Sequence, residues 1–113
     1  MDFDEYQKKA ITTDVYGGKG DIQSIAFLNK VLGLVGETGE VAEKVKKLQR
    51  NQAGEMSKSD RQELLKELGD VLWYLSALTF YLGESLDKLA QSNLDKLFDR
   101  KSRGVIKSQG DNR

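Results

Sequence analysis

From Val71 to Leu82 the chain offers a helix with almost no polar face, and this segment constrains the fold more than any other. Leu64, Leu68, Val71, Leu72, Leu75, Leu78 and Leu82 recur at helical spacing as one wide apolar stripe. Trp73 and Phe80 lie on a further face one heptad apart, and only Ser76 and Thr79 interrupt the apolar character. A helix that is apolar nearly all round is wrapped by protein on several sides. In a chain of 113 residues, that cover is expected to include a second copy of the same chain.

The punctuation around this segment predicts only helices. The chain has no proline. Asp2-x-x-Glu5 resembles a capping box, with Phe3, Tyr6 and Ala10 following at helical spacing. The first helix should end before Gly17-Gly18-Lys19-Gly20, a connector rather than a phosphate loop, since no strand precedes it and the Walker spacing is missing. A second helix should begin near Asp21 or Ser24 and run to about Gln49, closed by the segment 50–54. Ser57 and Ser59 both offer an N-cap for the third helix, and Ser59-x-x-Gln62 reads as the better box. Gly83 ends it, Ser85 caps a fourth, and the fourth fades near Lys101. The expected architecture is a single all-α domain over residues 1–113, a four-helix up-and-down bundle that oligomerises through helix packing.

Two acidic pairs sit on the central helices with the same internal spacing, Glu37-x-x-Glu40 and Glu67-x-x-Asp70. Residues three apart share a helix face, about 5–6 Å apart at Cβ. Opposed across a helix contact, the pairs would gather four carboxylates. One like-charge pair at about 4 Å costs on the order of 4 kcal/mol at an effective dielectric near 20. Cations among them remove that cost, and an all-oxygen ligand set selects Mg²⁺, with Mn²⁺ as a substitute.

Composition narrows the chemistry further. There is no Cys and no His, which removes thiolate nucleophiles, imidazole bases and ordinary zinc sites. Lys and Arg number 18 and Asp and Glu number 18, so no net field recruits nucleic acid or a membrane surface. No apolar run approaches the ~18 residues of a membrane span, and the start Met1-Asp2-Phe3-Asp4-Glu5 does not resemble a basic signal peptide. The expected location is the cytoplasm, with neither nucleic acid nor membrane as partner.

On the second helix, Leu28, Val31, Leu32, Val35, Ala42 and Val45 read as the core face, with Val41 and Leu48 at its edge and Glu37 on its shoulder. Gly33, Gly36 and Gly39 recur inside this helix, each at about 1 kcal/mol relative to Ala. Three such penalties near Glu37 predict that another backbone or a ligand approaches closely. The plainer alternative is a solvated acidic face, with Glu40–Lys44 and Glu43–Lys47 as surface ion pairs and the glycines as packing notches.

The strings Gly33-Leu34-Val35-Gly36-Glu37-Thr38-Gly39-Glu40-Val41-Ala42-Glu43 and Lys66-Glu67-Leu68-Gly69-Asp70-Val71-Leu72-Trp73-Tyr74-Leu75 resemble the MazG-type all-α nucleotide pyrophosphohydrolases. Asn93, Lys96 and Arg100 fit a weaker basic motif of that family, while the connector between Glu40 and Glu67 is long for it. The resemblance implies cleavage of a nucleoside triphosphate between the α- and β-phosphates, giving a monophosphate and pyrophosphate. It implies Mg²⁺ held by Glu37, Glu40, Glu67 and Asp70, and a homodimer or dimer of dimers. With histidine absent, Glu37 or Glu40 is the side chain expected to take the proton of the attacking water. Tyr74 matches a position that contacts nucleotide in related enzymes.

Lys44 and Lys47, one and two turns past Glu40, are candidate phosphate ligands. Lys96 and Arg100, i and i+4 on the fourth helix with Asn93 on the same face, are alternative clamps. The tail 101–113 either folds over bound triphosphate or stays a loose terminus. Two other functions remain open: a related phosphohydrolase acting on dUTP, dUDP or phosphoribosyl-ATP, and a non-catalytic helical adaptor using the Trp73/Phe80 face.

Overall fold

The computed structural model describes residues 1–16 and 21–104. The glycine-rich connector at 17–20 and most of the tail, from 105 onward, lie outside the described residues. Four α-helices follow in order: α1 (Phe3–Ala10), α2 (Ile25–Gln52), α3 (Lys58–Tyr81) and α4 (Leu86–Ser102), with a short 3-10 turn at Ile11–Thr13. The described residues contain no strand, so the all-α expectation holds.

Each helix starts on a side-chain cap. Asp2 accepts from the Glu5 N–H at 2.7 Å, Ser24 from Phe27 at 3.1 Å and Ser85 from Lys88 at 3.1 Å. At α3 the cap is Ser57 rather than Ser59. Ser57 Oγ accepts from the Asp60 N–H, and the Asp60 carboxylate accepts from the Ser57 N–H, both at 3.0 Å. Asp60 thereby satisfies the reciprocal bond of the box and also places a negative charge on the positive end of the helix. α3 closes at Gly83, whose φ of +80° lets the Glu84 N–H turn back to the Thr79 carbonyl at 3.0 Å.

α2 and α3 form a long antiparallel hairpin. The residues of α2 shielded by α3 include Phe27, Lys30, Leu34, Glu37, Val41, Lys44 and Leu48. Those of α3 shielded in return are Asp60, Leu64, Glu67, Val71, Tyr74, Leu78 and Tyr81. Both sets alternate steps of three and four, the spacing of a coiled-coil seam. Every second position is apolar. The intervening ones repeat each seventh residue as Lys30, Glu37 and Lys44 on α2, and as Asp60, Glu67, Tyr74 and Tyr81 on α3.

This seam corrects the expected core face. Leu28, Leu32 and Val35 are 53%, 58% and 65% exposed, and Val31 and Val45 also face outward. The stripe read as the core is therefore apolar surface in a single chain, and a different face of α2 meets α3. α1 packs across α3 and the start of α4. The buried Gln7 amide joins them, donating to the Glu84 carbonyl at 3.0 Å and accepting from the Leu86 N–H at 3.1 Å. α4 touches α1 and α3 but not α2. The radius of gyration is 16.8 Å, against about 13 Å for a compact domain of ~100 residues. One chain is thus more extended than a compact domain of its length.

Candidate metal centre and substrate groove

The acidic pairs meet midway along the seam. Glu37, Glu67 and Asp70 each present a carboxylate oxygen, and the three oxygens lie within 4.8 Å of one another. Glu37 and Glu67 are half-buried and Asp70 is exposed. Glu40 does not join this group; it is exposed one turn further along α2. Crowding registers on Glu37: burial first, then the charges of Asp70, Glu67 and Glu40, push its carboxyl above the ordinary range. Three hard oxygen donors at this separation fit a divalent cation of the Mg²⁺ or Mn²⁺ type, and each would bind as a carboxylate.

Tyr6 of α1 stands close enough to Asp70 that burial, followed by the Asp70 charge, pushes its phenol up. Tyr74 lies one turn beyond Asp70 with its ring against the α2 backbone. A methyl group at Gly33 would stand 2.2 Å from Tyr74 Cε1, whereas one at Gly36 or Gly39 would meet nothing within 4 Å. Of the three glycines only Gly33 is closely approached, and by a side-chain ring rather than the backbone or ligand expected from the sequence.

On the other side of the acids, Lys44 Nζ lies 3.8 Å from Glu67 Oε1, across the seam rather than paired with Glu40 along its own helix. Lys47 keeps the surface pair with Glu43, at 3.9 Å. Lys44, Lys47, Leu48, Asn51, Asp60 and Glu63 line a cleft at this end. The α4 residues stand apart. Asn93 lines an apolar groove with Phe3, Leu72 and Leu75, and Arg100 is only 4% exposed. Lys96 is exposed on the same helix, which never reaches α2.

At the opposite end of the seam lies a network not anticipated from sequence. Lys30 Nζ pairs with Asp14 Oδ1 at 2.9 Å, both side chains 3% exposed. The Tyr81 hydroxyl donates to the other Asp14 oxygen. Burial by itself would raise Asp14, but Tyr81, Lys30 and the Tyr16 N–H outweigh it and hold the carboxyl below its usual range. Burial would likewise lower Lys30, and Asp14 reverses that and raises it. The ammonium lies 4.8 Å from the Tyr16 ring centroid, 5.7 Å from Trp73 and 5.4 Å from Tyr81. Trp73 turns inward, its Nε1–H donating to Thr13 Oγ1 at 2.9 Å and to the Ala10 carbonyl at 3.3 Å. The available signal was the seven-residue recurrence of Lys30, Glu37 and Lys44, which marks Lys30 as a seam position rather than a surface lysine.

Residues 26–105 match the MazG nucleotide pyrophosphohydrolase domain. The chain is also 48% identical over 114 residues to the Gene 37 protein of Mycobacterium phage L5, with 100% of both chains covered. No solved structure matches it. Among the described residues no helix is long and apolar enough to cross a membrane.

Proposed function

The chain belongs to the MazG nucleotide pyrophosphohydrolase family, and from that premise we propose that it hydrolyses nucleoside triphosphates between the α- and β-phosphates with Mg²⁺ as cofactor. The observation that carries this reading is the convergence of Glu37, Glu67 and Asp70 from two helices within 4.8 Å. These three would hold the metal, with Glu40 reaching it directly or through water. Divalent cations there supply positive charge that draws in an anionic substrate and acidifies a bound water.

The side chains supply the remainder. Glu37 or Glu40 would be the base that takes the proton of the attacking water. Lys44 is drawn toward Glu67 without a tight contact and is placed to exchange that carboxylate for a phosphate oxygen, with Lys47 one turn beyond. Tyr74 is the proposed contact for the sugar. Asn93, Lys96 and Arg100 remain proposed phosphate contacts only if a second copy brings α4 over this groove. The apolar outer stripe of α2 supports a homodimer as the working unit, and a dimer of dimers is the larger alternative.

The test is incubation with Mg²⁺ and each common triphosphate, resolving pyrophosphate from orthophosphate. We expect monophosphate and pyrophosphate in equal amounts. Glu67→Gln and Asp70→Asn should each lose 100-fold or more in kcat with unchanged helical circular dichroism. Orthophosphate as the first product would move the cut to the β–γ bond. No turnover, together with no effect of Mg²⁺ on the melting temperature, would favour the adaptor alternative.

A further inference from the structure

The α2–α3 seam is chemically graded from end to end. Asn29, Lys30, Trp73 and Tyr74 form an aromatic end, Glu37, Glu67 and Asp70 the acidic middle, and Lys44 and Lys47 a basic end. We propose that the cleft at the aromatic end, bounded by Thr13, Tyr16, Asn29, Trp73 and Tyr74, receives the base of the nucleotide. The phosphate chain then runs along the seam toward Lys44 and Lys47. This deepens the pyrophosphohydrolase reading and rests on it for the identity of the substrate.

Five observations assign the base to this end. The cleft measures about 330 Å³, at the lower end of the ~300–1,000 Å³ of ligand sites, room for a ring system rather than a whole nucleotide. Its floor carries no net charge, because Lys30 is matched by Asp14 at 2.9 Å and covered by three rings. Among the described residues a phosphate finds no uncompensated cation there, whereas an uncharged heterocycle loses nothing.

The walls are aromatic and held in place. Trp73 is tethered through its N–H and meets Tyr74 edge-on, with centroids 5.0 Å apart and planes at 86°, so stacking surface is prepared before a ligand arrives. Asn29 supplies the readable edge. Its half-buried amide lines the cleft and makes no hydrogen bond among the described residues, leaving a donor and an acceptor for a base. The spacing also suits one nucleotide. Tyr74 lies about 6 Å along the helix from Asp70, and Asn29 about 12 Å from Glu37, a span that one sugar and one phosphate bridge.

Trp73 is the chain's single tryptophan, so its fluorescence reports the cleft without any turnover. The four deoxynucleoside monophosphates and inorganic tripolyphosphate are titrated separately, each with Mg²⁺, into the full chain and into its Asn29→Ala and Asn29→Asp variants. Monophosphates should quench Trp73 with a ranking among bases, and tripolyphosphate should leave it unchanged. Asn29→Ala should weaken the preferred base about tenfold and flatten the ranking, and Asn29→Asp should reorder it. Equal quenching by tripolyphosphate, no quenching by any nucleotide, or an unaltered ranking in both variants would overturn the proposal. Pyrophosphate release without base-dependent quenching would sink this assignment and leave the enzyme reading standing. Quenching without pyrophosphate release would do the reverse.

Discussion

At Gly33 the cost of a glycine inside a helix is offset by the ring it admits. Alanine there gains about 1 kcal/mol of helix propensity but sets its Cβ 2.2 Å from Tyr74 Cε1, and overpacking of that kind costs about 1–3 kcal/mol. Gly33→Ala is therefore expected to be neutral to destabilising in the native chain. In a Tyr74→Ala background the same change should stabilise by about 1 kcal/mol, and urea melts of the four proteins measure the difference. Equal effects in both backgrounds would show that ring and glycine do not interact. Among the site residues, Glu37, Glu67 and Asp70 were legible because their spacing sets them on shared helix faces. Asp14 and Tyr81 were not, because their meaning depends on a contact between residues 67 apart in sequence.

Helix starts were mostly legible, since caps are local chemistry. Asp2 and Ser85 cap where the sequence placed them, and of the two starts offered for α2, Asp21 and Ser24, it is Ser24 that caps. The exception is instructive: Ser57 and Ser59 lie two residues apart, each followed at the third position by a side chain able to complete a box. Local pattern ranked Gln62 above Asp60, yet the chain takes the earlier start, which adds helix and brings Asp60 to the dipole. Ser57→Ala should accordingly cost about 1 kcal/mol, a fall of roughly 4–8 °C in melting temperature for a domain near this size. Ser59→Ala should change little. A larger effect at Ser59 than at Ser57 in thermal scans would contradict the cap assignment.

For the whole molecule, the decisive property is that α2 has two apolar faces and a single chain covers one. Phe27, Leu34, Val41 and Leu48 meet α3, while Leu28, Val31, Leu32, Val35 and Val45 are left exposed. An apolar stripe along a helix of about 42 Å is not a comfortable surface for a monomer. Light scattering should find at least a dimer, and Leu32→Glu with Val35→Glu should shift it toward monomer and lower its thermal stability. A wild-type chain that stays monomeric at micromolar concentration would remove the oligomer from the account.

What the amino-acid order determined unaided is local or periodic: an all-helical chain, where most helices begin, and which acids share a face. Hydrophobic periodicity reports that a face is buried and leaves open what buries it, because Leu and Val lose the same water against any apolar partner. Tertiary structure alone decided which stripe of α2 meets α3 and that Glu37, Glu67 and Asp70 converge while Glu40 stands off. It also decided that Lys30 is neutralised beneath three aromatic rings. Those outcomes depend on the rotation of one helix against another, and with apolar residues on both sides of α2 no single helix specifies it.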